Sequence, residues 1–176
     1  MLYMEQEKRD ILRKAYELGF KFEQQYGGCT QCALAAVFEA LGIKVNNDVF
    51  KAGTGFAGGG GLIGYGTCGA LIGGAMVISY LYPRTYDNFN DPERVRWKTY
   101  RLVKELIDRF ISEYRSCICV DIQKKVFGRS FNLWDPKEFQ EFEKLGGHVD
   151  KCPDVVGKAA MWTVDIILRA KEILEE

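Results

Sequence analysis

Apolar residues recur along this chain mainly at helical spacing. Ile11, Ala15, Leu18 and Phe22 stand four, three and four positions apart with charged residues between them, which predicts an amphipathic first helix ended by Gly27-Gly28. The alanine-rich run Cys29 to Leu41 predicts a second helix, with Gly42 where a C-terminal cap belongs. Asn46-Asn47 can cap a short helix over 48–52, and Thr67 is the expected N-cap of an apolar helix from Cys68 to Tyr82, stopped by Pro83. Asp91-Pro92 has the cap and first-turn proline pattern of a long helix. Its apolar face is carried by Val95, Leu102, Val103, Leu106, Ile107, Phe110, Ile111 and Tyr114.

The stretch Ser116 to Ile122 alternates like a strand, yet Ile118, Ile122 and Val126 also fit a helix. A lone strand would lack a partner, so a helix is expected. Asp135-Pro136 opens a short helix closed by Gly146-Gly147, and Cys152-Pro153 opens the last one, which runs to about Leu174. The whole chain, 1–176, therefore reads as one all-α domain, a helical bundle in which a glycine-rich loop leads into a buried central helix.

Charge changes this picture little. Lys plus Arg equals Asp plus Glu at 24 each, so no basic surface argues for nucleic acid. No charged residue occurs from Ala52 to Pro83, but the first half of that run is rich in glycine and only its second half reads as a helix, too short to span a bilayer. No membrane association is expected. The N-terminus MLYMEQEKRDILRK lacks a basic segment followed by an apolar core, which favours a cytoplasmic protein. In that compartment the six cysteines are better read as metal ligands, redox thiols or buried apolar groups than as a disulfide framework.

The cysteines share one kind of place. Cys29, Cys32, Cys68, Cys117, Cys119 and Cys152 all fall at or within a turn of an expected helix N-terminus. Such a terminus offers free N–H donors and partial positive charge, which stabilise a thiolate and lower its pKa. Eleven glycines crowd the stretch from Gly53 to Gly74 around Cys68. Glycine lets the main chain approach sulfur or an inorganic group closely, and Gly66, Gly69 and Gly73 are the candidate backbone contacts. A close helix crossing with Cys68 as a small core residue would also account for Gly69 and Gly73.

Several motifs are absent. Cys29-x-x-Cys32 is compatible with zinc, iron–sulfur or dithiol chemistry, but a second Cys-x-x-Cys is missing because Cys117-x-Cys119 has the wrong spacing. The glycine loop is followed by no Gly-Lys-Ser/Thr and preceded by no strand, so it is neither a P-loop nor a dinucleotide fingerprint. His148, the one histidine, lies four residues before Cys152 and is a ligand, a proton donor or a solvated loop residue. No carboxylate pair stands out; Asp87, Asp91, Asp135 and Asp154 read as turn and capping residues.

Taken together, Cys68-Gly-Ala-Leu-Ile-Gly73, Cys32 in Gln-Cys-Ala-Leu-Ala-Ala-Val, Cys119 before Val-Asp-Ile-Gln, and Cys152 in Lys-Cys-Pro-Asp-Val-Val-Gly resemble a family of redox-active proteins named for four cysteines and a Cys-Gly-Ala-x-x-Gly signature. The likeness covers roughly 26–168. A related module is similar to the cluster-binding part of the split-Soret cytochromes c, whose haem part has no counterpart here. The resemblance implies an iron–sulfur cluster held by Cys32, Cys68, Cys119 and Cys152, a homodimer, and electron transfer to a redox partner. Cys29 and Cys117 are additional to the four-cysteine pattern. A metal-free thiol–disulfide or sulfur-transfer enzyme and a zinc-stabilised helical binding module are the alternatives.

Overall fold

The computed structural model describes residues 2–175, and side chains over 5–170. The described chain is built from α1 (Leu2–Tyr26), α2 (Cys29–Ala40), α3 (Asn47–Ala52), α4 (Gly69–Leu81), α5 (Arg96–Tyr114), α6 (Cys119–Phe127), α7 (Pro136–Lys144) and α8 (Cys152–Glu175). A 3-10 turn covers Thr54–Phe56, and a π-helical turn, Gly147–Lys151, leads straight into α8. Among the described residues the β pairing amounts to one antiparallel bridge, Thr67 with Ile118, so the architecture is all-α as expected.

The core lies where α8 meets α1, α2, α4 and α5. Leu34, Val37, Phe38, Leu71, Val77, Ile78, Leu106, Phe110, Val164 and Ile167 are fully buried there. Each such side chain contributes about 1.5–3 kcal/mol relative to exposure. On α1 the buried stripe is Ala15, Gly19 and Glu23, with Leu18 and Phe22 flanking it half-buried. The helix is thus rotated slightly from the face expected, because Gly19 sets the crossing: a Cβ there would lie 2.9 Å from the carbonyl of Val156 on α8. Across α2 and α4 the same device recurs, since a Cβ on Gly73 would collide with the carbonyl of Thr30.

Three local expectations are corrected. Cys68, not Thr67, occupies the N-cap of α4. The fifth helix begins at Arg96, and Asp91, in left-handed backbone at φ 49°, caps it from a distance by accepting from the amides of Val95 (2.7 Å) and Arg96 (3.3 Å). The segment before α6 does find a partner, in the single bridge to Thr67, and then turns helical at Cys119. Asn46, Asp135 and Gly42 terminate their helices as the sequence predicts, Gly42 in left-handed backbone.

Candidate functional site

The glycine loop ties two cysteines to one another through the backbone. The amide of Cys68 donates to the carbonyl of Cys117 at 2.8 Å, that of Cys119 to Gly66 at 3.0 Å, and that of Val120 to Gly64 at 2.9 Å. The loop wraps so tightly that a Cβ on Gly59 would stand 3.0 Å from the Cβ of Cys119, and Gly59 itself has φ 76°. Only glycine fulfils both conditions. The outer edge of the loop is pinned by Trp134, whose indole N–H donates to Gly61 at 2.7 Å. Cys68 at the N-cap of α4 and Cys119 at the first residue of α6 are thereby fixed side by side.

Two further helix starts complete the ring. Cys29 opens α2 after Gly27 and Gly28, both in left-handed backbone, and Cys152 opens α8. Together Cys29, Cys68, Cys119 and Cys152 line one cavity of about 510 Å³. Cys32, one turn further along α2, lines a neighbouring cavity; its thiol donates to the carbonyl of Gly27 at 3.0 Å and also hydrogen-bonds Glu23, a residue of the first cavity's wall. Cys117 packs against the hydrophobic core and does not line the cavity. All six cysteines are free thiols. Among the described residues no three His, Cys, Asp or Glu side chains converge tightly enough to hold a single metal ion.

Of the candidate glycines, Gly69 touches a thiol directly, since a Cβ there would lie 2.5 Å from Sγ of Cys29. Gly66 donates its amide to Gly59, and Gly73 serves the α2–α4 crossing. The loop amide directed at a sulfur belongs to Gly58, facing Cys29.

Glu23 and His148 complete the wall. Glu23 is 3% exposed, and its Oε2 has no hydrogen-bond partner. His148 places Nε2 3.8 Å from Oε1 of Glu23 and Nδ1 2.5 Å from Oε1 of Glu143. His148 is thus held between two carboxyl groups rather than solvated in a loop. Glu23 escaped the sequence reading, although its spacing of four from Gly19 and Ala15 put it on the buried stripe of α1. Asp154, read as a capping residue, accepts instead from the hydroxyl of Tyr16 at 2.7 Å and pairs with Lys158 at 2.9 Å.

The electrostatics reverse the expectation for the thiols. Burial pushes Cys29, Cys32 and Cys152 well up, and the charge of Glu23 adds to the effect on each. Burial also raises Cys68 and Cys119 to about 12. The first amides of α4, those of Ala70 and Leu71, do pull Cys68 down, but desolvation outweighs them. Burial likewise raises the carboxyl of Glu23, against the opposing pull of His148. Without a cation, this cavity holds neutral thiols.

Helices that deliver cysteines from four separate points to one cavity wall define an all-α, cysteine-rich protein. The family model described as "Putative redox-active protein (C_GCAxxG_C_C)" matches residues 26–166, and the chain belongs to that family. In this chain the central element reads Cys68-Gly69-Ala70-Leu71-Ile72-Gly73, with Cys and Gly in the opposite order to the designation. No curated protein and no solved structure shows a significant match. No described helix is long and apolar enough to cross a membrane.

Proposed function

We propose that this protein holds an iron–sulfur cluster at the thiol end of the cavity, through Cys29, Cys68, Cys119 and Cys152, and exchanges electrons with a partner. One observation carries the reading: four cysteines from four separate helix starts line one cavity. A multi-atom cluster needs ligands spread around it, whereas a single zinc ion needs them at about 2.3 Å from one centre. When bound, such a cluster supplies reversible one-electron transfer.

The residues of the chain fit that role. Without a bound cation the thiols are protonated, so binding displaces their protons and becomes steeply dependent on pH. Amides at Gly58, Ala70 and Leu71 face sulfur, the arrangement that tunes a cluster's potential. The same burial weighs against the thiol–disulfide alternative, which needs an accessible thiolate of low pKa. A homodimer belongs to this reading. Its support is the resemblance and an apolar groove on the outer side of α4, lined by Val49, Phe56, Ile72, Met76 and Tyr80.

The test is a pair of single variants purified without oxygen. Cys29→Ser is expected to lose bound iron and sulfide, while Cys32→Ser, outside the ring, retains both. Loss in Cys32→Ser with retention in Cys29→Ser would move the ligand set to the four positions that the family signature names.

A further inference from the structure

Residues of the first three helices line a second cavity, of about 530 Å³, beside the cysteine cavity. Its walls include Phe22 and Tyr26 on α1, Gln31 and Glu39 on α2, and Phe50 on α3. Gln31, Ala35 and Glu39 follow one another at a spacing of four, which puts all three on one face of α2. The cavity shares Tyr26, Gly27 and Gln31 with its neighbour but is lined by none of the four cysteines of the ring. Its volume lies within the range of small-molecule sites, roughly 300–1,000 Å³.

The lining defines the chemistry of a ligand. Three aromatic rings contribute: those of Phe22 and Tyr26 stand 6.1 Å apart and inclined at 45°, and Phe50 adds the third. Ring faces carry negative potential, which attracts a cation placed within about 6 Å of a centroid. The side-chain amide of Gln31 donates to the carbonyl of Phe50 and to Oγ1 of Thr54, both at 3.1 Å, and so keeps its oxygen as an acceptor. Glu39 adds a carboxylate at the exposed rim. No lysine or arginine lines the cavity among the described residues; Lys14 donates to the main-chain carbonyl of Glu39 at 3.1 Å from outside the lining. Rings, acceptor and carboxylate, with no cationic side chain in the wall, complement a positive charge on an apolar body.

We propose that this cavity binds a small organic ammonium ion, its charge seated among Phe22, Tyr26 and Phe50 and balanced by Glu39. The site depends on no thiol and on no bound metal, so it stands or falls separately from the electron-transfer reading. It adds the capture of an organic cation beside the cysteine cavity.

Choline and its neutral carbon isostere, in which a tert-butyl group replaces trimethylammonium, share shape and hydroxyl and differ in charge. Each is titrated into the reduced full-length protein and followed by the proton NMR signal of its methyl groups, which nearby aromatic rings shift upfield. The methyl signal of choline is expected to move upfield saturably. Its affinity is expected to exceed that of the isostere about tenfold, the worth of cation–π contact reinforced by one carboxylate. Glu39→Gln and Tyr26→Leu change exposed side chains and so leave the fold intact. Each is expected to cut the preference for choline about threefold, with bound iron as in the wild type. No saturable shift, equal affinity for the two probes, or an undiminished preference in either variant overturns the proposal.

Discussion

Glycine serves opposite ends in two adjoining regions of this protein. Where α2 crosses α4, Gly73 lets two backbones close on one another and leaves no space between them. In the loop before α4, Gly58, Gly59, Gly60, Gly61 and Gly64 take left-handed backbone, the turn that brings Gly58 to the wall of a cavity. The crossing gains stability from close packing; the cavity gives some up, because it buries thiols and an unpartnered carboxyl oxygen. That difference locates function in the second region, since a fold keeps unsatisfied buried groups chiefly where something binds.

The contrast can be broken by substitution. At the crossing, Gly73→Val forces a branched side chain against the Thr30 carbonyl and is expected to cost about 3 kcal/mol, lowering Tm by roughly 6–12 °C. In the loop, Gly60 has φ 84° but open space around it, so Gly60→Ala carries only the backbone penalty. That penalty is about 1–2 kcal/mol, or roughly 2–8 °C. Thermal melts of the two variants check the order, and equal losses would mean that the crossing relaxes around the added side chain.

The pH dependence sharpens the same contrast. Thiols whose pKa is raised in the folded state contribute stability that is fully present below their ordinary value of 9.0 and is lost as pH rises toward about 12 for Cys68 and Cys119. Each such thiol removes about 1.4 kcal/mol per pH unit in that window. Reduced protein stripped of metal is therefore expected to lose stability steeply above pH 9.0, and Cys68→Ser with Cys119→Ser to flatten the slope. Urea titrations at a series of pH values measure it.

A smaller effect, of opposite sign to most substitutions, is expected at Glu23. Its raised pKa means that its contribution is present below the ordinary 4.5 and is lost as pH rises through the folded value. Glu23→Gln removes that loss, so near pH 8 the variant is expected to melt about 2–4 °C above the wild type, for a gain of about 1 kcal/mol. Near pH 4 the two should coincide. A variant less stable than the wild type at pH 8 would mean that the carboxylate is satisfied in solution.

Much of this was legible in the sequence, for identifiable reasons. Helices ended by local chemistry, such as Asn46, Asp135-Pro136 and Gly42, read correctly because a cap depends on its own few residues. The start of α5 did not, because Asp91 in left-handed backbone caps across four residues instead of the usual two or three. The bridge from Thr67 to Ile118 pairs residues far apart in sequence, and alternation over so short a run does not reveal a partner. The gathering of cysteines at helix starts was visible from cap signals alone. The direction of their pKa shifts was not, because it depends on how deeply three dimensions bury them, and that term outweighs the helix termini.

The most direct test of the central claim is the iron and acid-labile sulfide content of the wild-type protein purified without oxygen, read together with its visible absorption. Iron and sulfide in matching amounts, with a broad visible band that bleaches on reduction, is the result predicted for a cluster in the thiol cavity. Colourless protein with six titratable thiols and no metal under those conditions would contradict it.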